Sequence, residues 1–223
     1  MDSLDRDLFQ RRASRITVVA HLFGVLAVIL LLVWLLHYRE GLDLDSDNAY
    51  RVFNVHPFLM FFGFVFLSGE AMMAYKTVPA EREVQKFVHM FINLTAICLG
   101  IVGIHAAFKF HDRENLKDMY SLHSWVGMGT FCLFCLQWLF GFALFLFPKA
   151  STRRRAVALP WHICGGRALL YMAICAAETG LMEKVTILKI QSTRESRLIN
   201  FTGLAILLFG LTVDLSIALA RYI

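Results

Sequence analysis

Charge is scarce in this 223-residue chain. Asp, Glu, Lys and Arg make up 17% of it, against about 25% in an ordinary soluble domain, and they are clustered. Between the clusters run six apolar stretches, at about 16–36, 56–75, 87–108, 121–147, 159–181 and 199–220. Each is long enough to cross a hydrocarbon core of about 30 Å at about 1.5 Å per residue. No stretch remains for a soluble domain, no low-complexity tract is present, and no nucleic-acid motif is found. The formal net charge of +5 therefore reports on topology and not on nucleic acid.

The first stretch is not expected to be a cleaved signal. A secretory apolar region is about 7–15 residues long and is followed by an A-x-A-like site; the first stretch is longer and has no such site. Disulfide chemistry is unexpected, because Cys98, Cys132, Cys135, Cys164 and Cys175 all fall inside apolar stretches. Cys132 and Cys135 have CxxC spacing, but on a lipid-embedded helix, where packing is the simpler role and a redox pair the remote alternative. There is no CxxCH for covalent haem attachment. With short loops throughout, residues 1–223 are expected to form a single all-α domain, a six-helix integral membrane bundle surrounded by lipid.

The basic residues set its direction. Arg6, Arg11, Arg12, Arg15, Lys76, Arg82, Lys86, Lys149, Arg153, Arg154, Arg155 and Arg221 flank one side. The other side has fewer: Arg39, Arg51, Lys109, Arg113, Lys117, Lys184, Lys189, Arg194 and Arg197. Excess Lys and Arg stay in the cytosol, so both termini are expected there. The last outer loop, 182–198, is expected to lie partly on the membrane surface.

Histidines are the unusual content. His56, His89, His123 and His162 each fall just inside the start of a span, the second to the fifth in order. Neighbouring spans start from opposite faces, so His56 and His123 belong near the outer face and His89 and His162 near the inner one. Ionisable side chains inside a membrane are costly and usually functional. Three readings compete: axial ligation of two haems, a histidine-lined proton or metal transporter without haem, and interfacial residues with no special role. Glycines at +4 from two of the histidines, Gly127 and Gly166, with Gly63, Gly129 and Gly165 nearby, would leave room for a flat group, although membrane helices also use glycine for packing. Pro57 and Pro160 are expected at helix starts, where a missing N–H is tolerated. Acids within the spans are few (Glu70, Glu178 and Asp214), and no span looks broken at mid-depth, which weakens the transporter reading.

The segments HPFLMFFGFVFLSGEAMMAYK, KFVH, KFH, YSLHSWVG, QWLFGF, PWH and GLMEK occur in this order. Together with histidine separations of 33, 34 and 39 residues, they resemble the cytochrome b561 family of ascorbate-dependent transmembrane oxidoreductases over roughly residues 50–190. The AYKTVP segment is similar to the plant members. The resemblance implies two non-covalent b-type haems in a four-helix core of spans two to five, ligated by His56 with His123 outside and by His89 with His162 inside. It implies electron flow from cytosolic ascorbate to monodehydroascorbate or a ferric chelate on the opposite face, and a homodimer. By the same resemblance, Arg82, Lys86 and Arg155 bind ascorbate, and Phe110, His111 and Tyr120 line the outer substrate position, with Lys86 and His111 as catalytic groups. A vacuolar, lysosomal or other endomembrane, or the plasma membrane, fits equally. His21, His37 and His105 receive no role.

Overall fold

The computed structural model describes residues 3–148 and 150–219, with side chains from Ser14 onward. Of the charges counted above, Arg6, Arg11, Arg12, Lys149 and Arg221 lie outside the described side chains. Six helices are long and apolar enough to span a membrane: α1 Ser14–Tyr38, α2 Ala49–Thr77, α3 Arg82–Glu114, α4 Leu122–Leu146, α5 Thr152–Ile187 and α6 Arg194–Leu219. Among the described residues there is no strand. The all-α six-helix architecture read from the apolar stretches is the one adopted.

The helices overrun the apolar stretches. Hydropathy marks where lipid begins, whereas the hydrogen-bond ladder ends only where a cap stops it. Asn48 starts α2 by accepting from the Tyr50 N–H at 2.9 Å. Ser121 and Ser124 form a reciprocal capping box at the head of α4, satisfying two otherwise orphaned donors. Asn115, with φ of 51°, closes α3 in the left-handed conformation, which Asn tolerates better than most residues. The expected outer loop 182–198 is consequently mostly helix, shortened to residues 188–193. Pro57 and Pro160 also move from expected helix starts to helix interiors. In α2 the missing N–H of Pro57 precedes a π-helical segment, Leu59–Phe66, where the ladder widens by one residue per turn.

In the bundle α2 packs on α3 and α4 on α5, while α1 lies along α6, which also contacts α5 and the end of α2. Polar clamps fix this outer pair of helices. Glu195 at the head of α6 accepts from the Trp34 indole N–H at 2.7 Å and from the Arg39 Nε–H at 2.6 Å. At the other end Lys76 donates to the Ser216 carbonyl and to its hydroxyl, which also meets Thr17 at 2.5 Å. Lys76 is thereby committed to α6. His21 meets Glu70 at 2.8 Å, and Arg167 grips both oxygens of Asp214. Two of the three acids inside the spans are therefore spent on helix pairing.

Removing Glu195 leaves the buried Trp34 N–H and the half-buried Arg39 guanidinium without their acceptor, and an orphaned donor costs about 1–3 kcal/mol. Glu195→Ala is expected to lower the thermal unfolding midpoint in detergent well below that of Glu195→Gln, which keeps an acceptor oxygen. Equal midpoints for the two variants would remove the clamp from the account.

Candidate functional site

Two histidine pairs lie at opposite ends of the α2–α5 bundle. At the end away from the described termini, His56 of α2 faces His123 of α4 with ring centroids 6.0 Å apart. At the end shared with the termini, His89 of α3 faces His162 of α5 at 6.3 Å. These are called the far and near pairs. The alternation of span directions in the sequence groups the same residues.

Three of the four rings are oriented by a backbone carbonyl on a neighbouring helix. His56 Nδ1 lies 3.0 Å from the Gly103 carbonyl, His89 Nδ1 2.8 Å from that of Ala71, and His123 Nδ1 2.8 Å from that of Ala176. A carbonyl only accepts, so Nδ1 carries the proton and donates. The lone pair is then on Nε2, the nitrogen left for another partner. At His89 this nitrogen already has the Asn93 amide at 3.3 Å. The fourth ring is held differently. Among the described residues no hydrogen bond reaches the His162 imidazole; its backbone carbonyl accepts from Gln137 at 2.6 Å and its ring packs 5.3 Å from that of Phe145.

These contacts also fix the distance between the pairs. From His89 to the Gly103 carbonyl that serves His56 is fourteen residues along α3, and from His162 to Ala176 is fourteen along α5. At the rise of a straight helix that places the two layers about 21 Å apart. Along α2, His56 and Ala71 are separated by fifteen residues, and the π-helical segment lies between them. The intervening core is aromatic: Phe64 meets Phe131 and Phe134 at 5.4 and 4.9 Å, in edge-on contacts. Phe64, and not the equally buried Phe61, makes these contacts.

A ligand held between each pair has to fit this frame. A transition-metal ion takes an imidazole nitrogen at about 2 Å, so two imidazoles on opposite sides of one ion place their centroids roughly 6 Å apart, allowing about 1 Å from each nitrogen to its ring centre. Both observed separations match. Among the described residues no three His, Cys, Asp or Glu side chains cluster as a bare ion would require. Two axial donors with the remaining positions filled by a planar macrocycle suit haem, which takes histidine axially. One turn beyond two of the histidines the chain carries no side chain: a Cβ at Gly127 would make an ordinary contact with Ala176 at 3.9 Å and one at Gly166 with Gln137 at 3.8 Å.

Two other glycines admit the rings themselves. A Cβ on Gly180 would lie 2.7 Å from His123 Cε1, and one on Gly141 2.8 Å from His162 Cε1. Sequence reading does not single out these positions, because each lies on the helix opposite the histidine it accommodates. Gly63 instead makes way for Leu99, and Gly129 faces open space.

The near end carries the expected cations. Lys86, in the first turns of α3, pairs with Glu83 at 2.9 Å. Arg82 lies 5.8 Å from the centre of the Tyr75 ring, which in turn packs 5.4 Å from that of His89. Arg155, at the head of α5, donates to the Thr152 hydroxyl at 3.3 Å, while its buried Nε–H has no partner among the described residues. An unsatisfied cationic donor is costly unless an anion completes it. Glu83 and Tyr75 escape the sequence reading; the i, i+3 spacing of Glu83 and Lys86 is the one signal that could have shown the former.

At the far end Phe110, His111 and Tyr120 come together, with ring separations of 6.0 Å and 6.4 Å along that series. His111 Nδ1 lies 2.8 Å from an Asp118 oxygen. The left-handed Asn115 turns the chain so that Asp118 returns to the last turn of α3, a reversal that sequence spacing does not disclose. Tyr120 donates to Glu183 at 2.9 Å. Desolvation, and then that hydrogen bond to a carboxylate, raise its phenol above the ordinary value, so it remains a neutral donor at physiological pH.

Comparison with known proteins gives a consistent set of relatives. The family profile described as eukaryotic cytochrome b561 matches residues 55–188. The rice (Oryza sativa subsp. japonica) protein named "Probable ascorbate-specific transmembrane electron transporter 1" is 43% identical over 207 residues, covering 91% of this chain and 88% of its own. Transmembrane ascorbate ferrireductase 1 of Arabidopsis thaliana is 41% identical over 208 residues, covering 92% and 87%. The plasma membrane ascorbate-dependent reductase CYBRD1 of Xenopus laevis is 39% identical over 198 residues, covering 85% of this chain and 69% of its own.

The glycine contacts yield a direct contrast. Gly180→Ala is expected to displace the His123 ring and sharply lower haem retained after purification. Gly129→Ala, on the same helix as that histidine but with nothing within 4 Å of the added Cβ, is expected to retain more. Absorbance at the Soret band per chain measures both, and equal retention would show that Gly180 does not seat the ring.

Proposed function

The chain belongs to the eukaryotic cytochrome b561 family, and from that premise we propose that it is a transmembrane oxidoreductase moving single electrons from cytosolic ascorbate to an acceptor on the opposite face. The observation that carries this reading is the pair of facing imidazole couples, each with a gap of one axially held ion and, in three of the four rings, with Nδ1 engaged so that ligation falls to Nε2, which at His89 exchanges the Asn93 amide for the ion. His56 and His123 would hold one b-type haem, His89 and His162 the other. Bound in those positions, haem supplies a one-electron carrier near each face.

The near end is taken as cytosolic, with both termini. There Arg82, Lys86 and Arg155 recognise ascorbate, an anion at neutral pH. Lys86 exchanges part of its contact with Glu83 for the ascorbate oxygens, and the unpartnered Arg155 Nε–H supplies a further donor. Ascorbate loses one electron and one proton to become monodehydroascorbate, and the Lys86–Glu83 pair holds that proton. At the far end Phe110, His111 and Tyr120 surround the acceptor, monodehydroascorbate or a ferric chelate. Reduction of monodehydroascorbate takes one electron and one proton. His111 passes that proton from Nε2 while Asp118, at Nδ1, fixes the orientation of the ring. A ferric chelate takes the electron alone. Residues 1–223 act as one domain, and two copies associate in an endomembrane, vacuolar or lysosomal, or in the plasma membrane.

The deciding measurement is a visible spectrum of the purified protein before and after ascorbate, with haem quantified per chain. Close to two low-spin haems, reducible by ascorbate, are expected. Folded protein without haem would return the histidines to a proton or metal transporter. Lys86→Ala is expected to keep both haems and slow ascorbate oxidation by about 10- to 100-fold, the scale of a lost charged contact of roughly 1.5–3 kcal/mol. Unchanged ascorbate kinetics would remove Lys86 from the near site. Asp118→Asn is expected to slow reduction of monodehydroascorbate, while ferric chelate reduction stays near the unaltered rate. Equal slowing of both acceptors would remove His111 from proton delivery.

A further inference from the structure

Lys184 lies in the last turn of α5, where a cation favourably meets the helix dipole. That role asks nothing more than a side chain directed into water. Lys184 instead turns inward. Its Nζ sits 3.8 Å from the centre of the Phe53 ring and 5.9 Å from that of Phe110. Those two rings are in contact at 4.9 Å, and Phe53 packs 5.8 Å from the His56 imidazole. Aromatic faces attract the ammonium but do not neutralise it.

No carboxylate does so either. Among the described residues none lies within ion-pair distance of Lys184. The neighbouring Glu183 accepts from Tyr120, and Glu195 is occupied by Trp34 and Arg39. A half-buried ammonium therefore lies at the far end, beside Phe110 and one ring from His56, with no carboxylate of the described residues in direct contact. By sequence alone Lys184 counts among the minority cations of the outer face and has no part in a site.

We propose that Lys184 is the anion anchor of the far-end mouth: it binds the negative charge of the electron acceptor over Phe53 and Phe110, beside His56. This rests on the reading that electrons leave at that face. The ligand class is a small one-electron acceptor with anionic oxygens or net negative charge, such as the monodehydroascorbate anion or an anionic iron(III) chelate. Each accepts one electron, drawn from ascorbate at the other end, and an iron(III) chelate becomes the iron(II) chelate. Charge retained at the mouth makes the site selective for anions over cations of similar size and potential.

The test uses full-length protein in sealed vesicles, loaded with ascorbate on the near side, and two outer-sphere acceptors of opposite charge. These are hexacyanoferrate(III), a trianion, and hexaammineruthenium(III), a trication. For Lys184→Met the KM for hexacyanoferrate(III) is expected to rise about tenfold, the scale set by removing one unit charge from beside a trianion at a partly solvated site. The KM for hexaammineruthenium(III) should fall or stay constant, and Lys184→Arg should restore most of the anion preference. Haem content and the ascorbate-reduced spectrum confirm that each variant is intact. Lys117→Met, another cation of the same face, controls for bulk surface charge.

An unchanged KM for hexacyanoferrate(III) overturns the proposal, as does an equal effect in Lys117→Met. A shift in the far-haem potential with both acceptors slowed alike also overturns it, because Lys184 would then serve a carboxylate of the cofactor. If the unaltered protein holds no ascorbate-reducible haem, it is the electron-transfer reading that fails, and the variants are not needed to see it.

Discussion

An imidazole inside a bilayer has two nitrogens to satisfy, and this bundle depends on where the first is sent. For His56, His89 and His123 it is sent to a carbonyl of an adjacent helix. The helical carbonyls at Gly103, Ala71 and Ala176 already accept within their own ladders, and a carbonyl oxygen has a second lone pair to offer. The extra bond therefore costs the helix little. It fixes the tautomer, aims the ring, and ties α2 to α3 twice and α4 to α5 once. The same bonds that could orient metal ligands also set the register of the four central helices, so ligation geometry and packing cannot be adjusted independently.

The two ends are not equivalent. Among the described residues His162 has no such bond, and it relies on Gln137, Phe145 and the space at Gly141. The near mouth presents cations with partial compensation, Lys86 by Glu83 and Arg82 by the Tyr75 face, and leaves one Arg155 donor open. The far mouth is built from aromatic rings around a histidine with its own carboxylate. One end is suited to holding an anion. The other sets a histidine–aspartate couple and a single ammonium, Lys184, among aromatic faces.

Much of this was legible in the sequence because it follows from alternation. Six apolar stretches give six helices; successive helices run in opposite directions; histidines near successive starts must then sort by end. Residues that act through their own helix were also visible, such as Lys86 at the head of α3. What could not be read was anything decided across a helix interface. Every residue has a carbonyl, so nothing marks Ala71, Ala176 or Gly103 as acceptors. Gly180 and Gly141 make room for rings carried by other helices, while Gly129, close to His123 in sequence, faces away from any neighbour. Pro57 looks like a helix start only because the apolar run begins there. The start of α2 falls instead at Asn48, whose side chain accepts the Tyr50 N–H, a position that hydropathy does not mark.

The widened segment of α2 has a consequence for register. Helices α3 and α5 cover the interval between the two layers in fourteen residues, and α2 takes fifteen with Leu59–Phe66 in π form. A residue inserted into a straight helix rotates everything beyond it by about 100°, which would turn His56 away from His123. A π turn absorbs the surplus locally and returns the chain to phase. The single residue by which α2 exceeds α3 and α5 is thus carried without turning His56 out of register with His123.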